Sequence, residues 1–169
     1  VICAKENLKH AGAIKIFGVG KSFILNQKII HERKDLCLAL ARKGARGENE
    51  FYELKGVIDN LLESLGIEEY GYSEKNIGAH GSDAAMFHPY RAAEITADGK
   101  PIGIIGEIHP EILDRMKAKT RITAAELFID TLVKLADSEQ QYRPVGKYPA
   151  VRRDVAIVVP FNTKTEDIT

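Results

Sequence analysis

Glu107 and His109 are the pair best placed for proton chemistry in this chain of 169 residues. Two apart on an extended segment, they fall on the same side, which leaves a carboxylate–imidazole dyad geometrically open. Neither a nucleophile nor a third orienting group accompanies them, so a structural use is the simpler reading. His109 can bond a backbone carbonyl, and Glu107 can pair with a cation such as Arg91 or Arg115. The histidines at 10, 31, 80, 88 and 109 include no i, i+4 pair of the kind that holds a metal on a helix. Gly20-Lys21-Ser22 ends like a phosphate-binding loop, but that signature needs a glycine where Lys15 stands and a helix afterwards. Arg143, Lys147, Arg152 and Arg153 form a basic group with no acid between Gln140 and Asp154, a pattern that can track an RNA backbone or simply keep a strand approach solvated. Cys3 and Cys37 lack CxxC spacing and read as free thiols. No catalytic, cofactor-binding or metal-ligating residue is assigned.

The elements that must position these groups centre on residues 87–113. Ala92–Ala97 and Lys100–Glu107 read as strands joined at Asp98-Gly99, a dipeptide suited to the positive φ of a hairpin turn. Gly103 and Gly106 inside the second strand mark a bulge or a close backbone approach. His109 is pushed out of helical conformation by Pro110, which then opens a helix with Glu111 in its first turn. Arg91, Gly103, Gly106, Glu107, His109 and Pro110 are therefore expected to shape a structural turn and an interface.

Elsewhere, residues 1–12 read as a helix end, and Ile14–Ser22 as a strand loosened by Gly18 and Gly20 that resumes at Phe23. Lys34–Arg42 is expected to be a strand. Phe51, Leu54, Val57, Ile58, Leu61, Leu62 and Leu65 form one apolar stripe, so Phe51–Leu65 is the clearest helix, with Asn49 as N-cap and Gly66 as its stop. Gly56 within it suggests close packing against a neighbour. A short strand around Tyr70–Tyr72, a strand over Ile122–Asp130 and a helix over Thr131–Ala136 complete the reading. The polar run DSEQQ from Asp137 is the best boundary, giving domains 1–138 and 139–169.

Composition is that of a globular protein, 44% hydrophobic and 28% charged. Net charge is zero but unevenly placed: residues 1–47 hold ten Lys/Arg against three Asp/Glu, and residues 48–74 eight Asp/Glu against one lysine. Such asymmetry describes solvated faces before it describes a partner. No apolar run reaches the ~20 residues of a membrane helix. A start at Val1 and an end at Thr169 suggest a piece cut from a longer chain.

The central stretch also carries a resemblance. FHPYRAAEI, a glycine turn and IGIIGEIHPEIL are similar to the C-terminal part of the phenylalanyl-tRNA synthetase β subunit, with Tyr90 where glycine is common and Ala92 where serine often stands. IKIFGVGKSF, FYELKGVIDNLLESLG and ITAAELFID resemble three further blocks, with Gly18 where glutamate is usual. YRPVGKYPAVRRDVAIVVP resembles the opening of the ferredoxin-like anticodon-binding domain, with Asp154–Val159 as its first strand. The resemblance implies an α+β fold, an antiparallel sheet flanked by helices like a class II aminoacyl-tRNA synthetase catalytic domain. It implies a cytoplasmic α2β2 phenylalanine–tRNA ligase that uses ATP and Mg²⁺, with partners in the α subunit and tRNA(Phe) and no membrane. The two arginines that clamp ATP in such enzymes find no match here, so the implied role is a non-catalytic scaffold without its own cofactor. The competing readings are a free-standing RNA-binding or regulatory α+β module and, less well supported, a nucleotide enzyme.

Overall fold

Asp98 and Gly99 both take positive φ, 50° and 67°, as a two-residue turn between right-twisted strands requires. They close the expected hairpin in a computed structural model that describes residues 1–26, 29–44, 48–73, 84–137, 154–160 and 163. Its strands are β4 (Phe87–Ala97) and β5 (Lys100–Ile108). The other strands are β1 (Ala13–Asn26), β2 (Ile29–Arg42), β3 (Tyr70–Ser73) and β6 (Thr123–Phe128). All six join one antiparallel sheet in the order β1-β2-β6-β5-β4-β3. The expected α+β architecture is therefore observed.

Helices cover both faces. Helix α1 (Ile2–Leu8) and α3 (Pro110–Arg115) add Ala4, Leu8 and Leu113 to a cluster with Ile14, Phe87, Ile104, Ile108 and Ile122. Helix α2 (Glu48–Ser64) and α4 (Ile129–Leu135) cover the other face, where Leu54, Ile58, Leu62 and Leu132 meet Ile95, Ile102, Ile105 and Leu127. Strand β5 feeds both clusters, which is why its apolar content runs nearly unbroken rather than alternating.

The glycines of β5 answer a packing demand. A Cβ on Gly103 would lie 2.3 Å from the Glu126 carbonyl oxygen, and one on Gly106 would lie 2.6 Å from the Ala92 Cβ. Both expected uses are observed, since each close approach has an irregularity of pairing beside it. Ile95 faces Gly103 and Thr96 faces Pro101, leaving Ile102 extra. Phe87 faces Ile108 and Ala92 faces Gly106, so residues 88–91 of β4 stand opposite Glu107 alone. That bulge sits next to the residues of interest, where bulges commonly re-aim side chains.

Several expectations need correction. Strand β1 is unbroken across Gly18 and Gly20, because its pairing with β2 runs in regular register from Ala13 to Asn26 and needs no side chain. Asn49 lies inside α2 rather than capping it. Gly66 does end that helix, with φ 72° and N–H groups of Gly66 and Ile67 returned to the carbonyls of Glu63 and Leu62. Gly56 packs against nothing within 4 Å and is an exposed weak point of the helix. Val57, placed on the stripe, is 42% exposed. Ile129 and Asp130 begin α4 instead of ending β6. Asp154–Pro160 forms no strand, since among the described residues nothing pairs with it, and Val155, Ile157 and Val158 are exposed. The boundary after residue 138 lies outside the described residues.

Candidate functional site

Two of the networks of charged side chains built on the sheet differ in how much of their charge faces water. The first surrounds Glu107, whose side chain is 6% exposed. Arg91, carried on the β4 bulge, reaches one carboxylate oxygen at 3.0 Å, and Arg121, in the loop after α3, lies 3.6 Å from the other. Arg91 was among the cations expected to pair with Glu107. Arg115, the alternative, turns to Glu111 at 3.5 Å instead, its own neighbour one helical turn away.

His109 caps α3, but as an acceptor. Its Nδ1 accepts the backbone N–H of Glu111 at 3.2 Å, in place of the expected bond to a carbonyl. A helix start leaves orphan N–H groups, so an acceptor is what the site needs. Pro110 occupies the first helical position as expected. Glu107 and His109 thus turn to different partners, and the dyad is not formed. His88 serves in the same manner on the bulge, accepting the Tyr90 N–H at 3.2 Å, with the two rings edge-on at 6.3 Å.

Two clefts flank the Arg91–Glu107 pair. One, of about 320 Å³, is lined by His88, Arg91, Glu107, Lys119, Thr120 and Arg121 among others. The second, of about 400 Å³, is lined by Phe51, Tyr52, Tyr90, Arg91, Ala92, Ala93 and Glu107. Tyr90 and Tyr52 are 90% and 71% exposed.

The second network lies at the other end of the sheet. Arg33 on β2 donates to Asp35 at 2.6 Å and to Glu126 on β6 at 2.6 Å, and sits 4.0 Å over the Phe128 ring. Ser22 Oγ on β1 donates to Asp35 as well. All of it is enclosed: Arg33, Asp35 and Glu126 side chains are 15%, 5% and 15% exposed. Burial first, and then the neighbouring Asp35 charge, hold the Glu126 carboxyl above its ordinary range against the pull of Arg33. Partial desolvation, with the charges of Glu126 and Asp35 adding to it, holds the thiol of Cys37 above its ordinary range although the residue lies at the surface.

A third group ties α2 to β3. Asp59 accepts from Lys55 at 2.7 Å and from Tyr72 Oη at 2.6 Å. Partial burial works to raise the Asp59 pKa, yet those bonds prevail and it is lowered; Tyr72 is raised by burial and by that bond. Asp59 is partly buried in this network.

Sequence reasoning singled out Arg91, Glu107 and His109 but missed Arg121, Arg33, Asp35 and Glu126. No local signal marks them, because Arg33 and Glu126 are 93 positions apart and meet only through the β2–β6 pairing. Arg143, Lys147, Arg152 and Arg153 lie outside the described residues. Among the described residues, no three His, Cys, Asp or Glu side chains gather so as to hold a metal.

A sheet of this topology with helices on both faces is a synthetase fold. It superposes on a pyrrolysyl tRNA synthetase from Desulfitobacterium hafniense with a TM-score of 0.54 at 12% identity, covering 79% of this chain and 50% of that one. The chain belongs to the family of the phenylalanyl tRNA synthetase beta chain CLM domain, whose model matches residues 1–129. It is 33% identical over 156 residues to a phenylalanine–tRNA ligase beta subunit of Clostridium tetani, covering 91% of this chain. To its counterpart in Symbiobacterium thermophilum it is 39% identical over 113 residues, covering 67%. The chain spans 18% and 12% of the length of those two relatives.

Proposed function

We propose that this chain is a non-catalytic structural part of a phenylalanine–tRNA ligase β subunit, packing against a catalytic α subunit in an α2β2 assembly. On this reading ATP and Mg²⁺ belong to the holoenzyme, tRNA(Phe) is its substrate, and the assembly works in the cytoplasm. The observation that carries the non-catalytic part is the donor set: among the described residues no three His, Cys, Asp or Glu side chains gather to hold the Mg²⁺ of an ATP complex. The enclosed guanidinium of Arg33 is withdrawn from any phosphate as well. Adenylation needs guanidinium groups that turn to a phosphate as charge develops on it. Arg33 cannot turn without leaving two buried carboxylates unpaired, which is strongly unfavourable.

Glu107 does not fit Mg²⁺–ATP either. Both Glu107 oxygens face guanidinium groups, and among the described residues no other carboxylate joins them as a metal cluster. Partner packing is supported by an uncovered apolar face. Phe17, Val19, Phe23 and Ile30, all at least 66% exposed, stand on the long β1–β2 hairpin, and such patches mark interaction surfaces. No described helix is long and apolar enough to cross a membrane.

Phenylalanine-dependent pyrophosphate exchange separates the readings. The chain alone should give none, and exchange by the α–β assembly should survive Arg33→Met wherever assembly survives. Exchange by the chain without α would overturn the proposal.

A further inference from the structure

The geometry points to a single-stranded RNA contact at the β4 bulge, with a base stacked on Tyr90 and the adjoining phosphate held by Arg91 and Arg121. The inference rests on the synthetase reading for the class of nucleic acid and goes beyond it in giving this chain an RNA site of its own.

Three observations converge there. The bulge sets four residues of β4 against Glu107 alone, and it carries the tyrosine and one of the arginines out of the ladder. Tyr90 is 90% exposed with its ring edge supported by His88 at 6.3 Å, a platform with an open face. Beside it, one buried carboxylate accepts a hydrogen bond from Arg91 and lies within ion-pair distance of Arg121 on another element, while those side chains remain 44% and 42% exposed.

A pair of arginines anchored by a shared acid is held in place before a ligand arrives, so less ordering is lost when a phosphate binds. Lys119 and Thr120 line the same cleft and add donors, and His88 lines it too. The neighbouring cleft, of about 400 Å³, is lined by Tyr52 and Tyr90 and shares Arg91 and Glu107 with the first. Its size is within the range of small-ligand sites. Aromatic platforms alternating with cationic grooves are how proteins bind single strands, whereas a duplex hides its base faces.

The test uses the whole chain and a fluorescein-labelled oligouridine hexamer, followed by anisotropy between about 50 and 200 mM salt. Tyr90→Ser should weaken binding about tenfold, since stacking contributes on that order per base. Arg121→Gln should leave Arg91 on Glu107 and flatten the dependence of log affinity on log salt by about 0.7. Circular dichroism melts check folding, which Tyr90→Ser has no buried contact to disturb. Adenosine monophosphate should compete more weakly than unlabelled hexamer, and inorganic phosphate more weakly still.

The inference is overturned if the hexamer does not bind, if a duplex binds as well, or if both variants bind like the parent. Competition by inorganic phosphate as strong as that of the hexamer would mean an unselective anion site and overturn it too. Loss of α-subunit assembly in both variants, with RNA affinity unchanged, would make the patch a protein interface. Failure of the scaffold reading would appear instead as exchange activity in the chain alone, independent of these variants.

Discussion

The two ends of the sheet use the same ingredients in opposite proportion. Around Arg33 one guanidinium serves two carboxylates, and all three side chains are at most 15% exposed. Around Glu107 one carboxylate serves two guanidinium groups, and only the carboxylate is buried. A buried cation with an excess of acid is confined to holding strands together. A buried acid with an excess of cation holds arginines at the surface, where they can meet something else. Residue type alone does not distinguish these uses; stoichiometry and exposure do.

The largest effect tests the frame on which both networks hang. Gly103→Val would drive side-chain atoms into the Glu126 carbonyl, 2.3 Å from the Cβ position, and should cost about 3 kcal/mol or more in urea titration. Because that carbonyl belongs to an acid of the second network, the same variant should disturb Arg33 before Arg91. Leu62→Ala, at a side chain that is fully buried under β5 and β6, should cost about 2–5 kcal/mol. Leu61, only partly buried in the same helix, should cost less, and equal losses would mean that α2 does not seat as described.

A pH series sharpens the contrast further. The Glu126 pKa is raised above 4.5 in the fold, so its favourable contribution is full below that value and is lost as pH rises through the raised one. Glu126→Gln should remove that decline, gaining on the parent as pH climbs from about 4.5 toward neutrality. Parallel stability curves across the series would contradict the assigned shift. A smaller effect, of opposite sign, is expected at Thr123, whose hydroxyl is fully buried without a hydrogen-bond partner. Thr123→Val should stabilise by about 1 kcal/mol, measured by the midpoint of chemical unfolding.

The sequence made one end of the sheet far more legible than the other. The β4–β5 hairpin and the start of α3 could be read because Asp98-Gly99 and His109-Pro110 impose local backbone preferences that tertiary packing only ratifies. The apolar period of α2 was equally plain, down to its Gly66 stop. The Arg33 network was not readable, since its members meet through strand register between β2 and β6, and register is set by the whole sheet. Arg121 was missed for the same reason, being brought to Glu107 by the chain reversal after α3. His109 was correctly placed but given the wrong bond, because a histidine can donate or accept and only the helix start decides. Gly56 shows the converse error: a mid-helix glycine invites a packing explanation, and the structure provides open space.

The difference between the networks is tested most directly by urea titration of Arg33→Ala and Arg121→Ala side by side at neutral pH. Arg33→Ala leaves Asp35 and Glu126 enclosed without their cation and should lose about 3–5 kcal/mol. Arg121→Ala leaves Glu107 paired with Arg91 and should lose under about 1 kcal/mol. Equal losses, or a larger one at Arg121, would contradict the division between an enclosed structural network and a surface one.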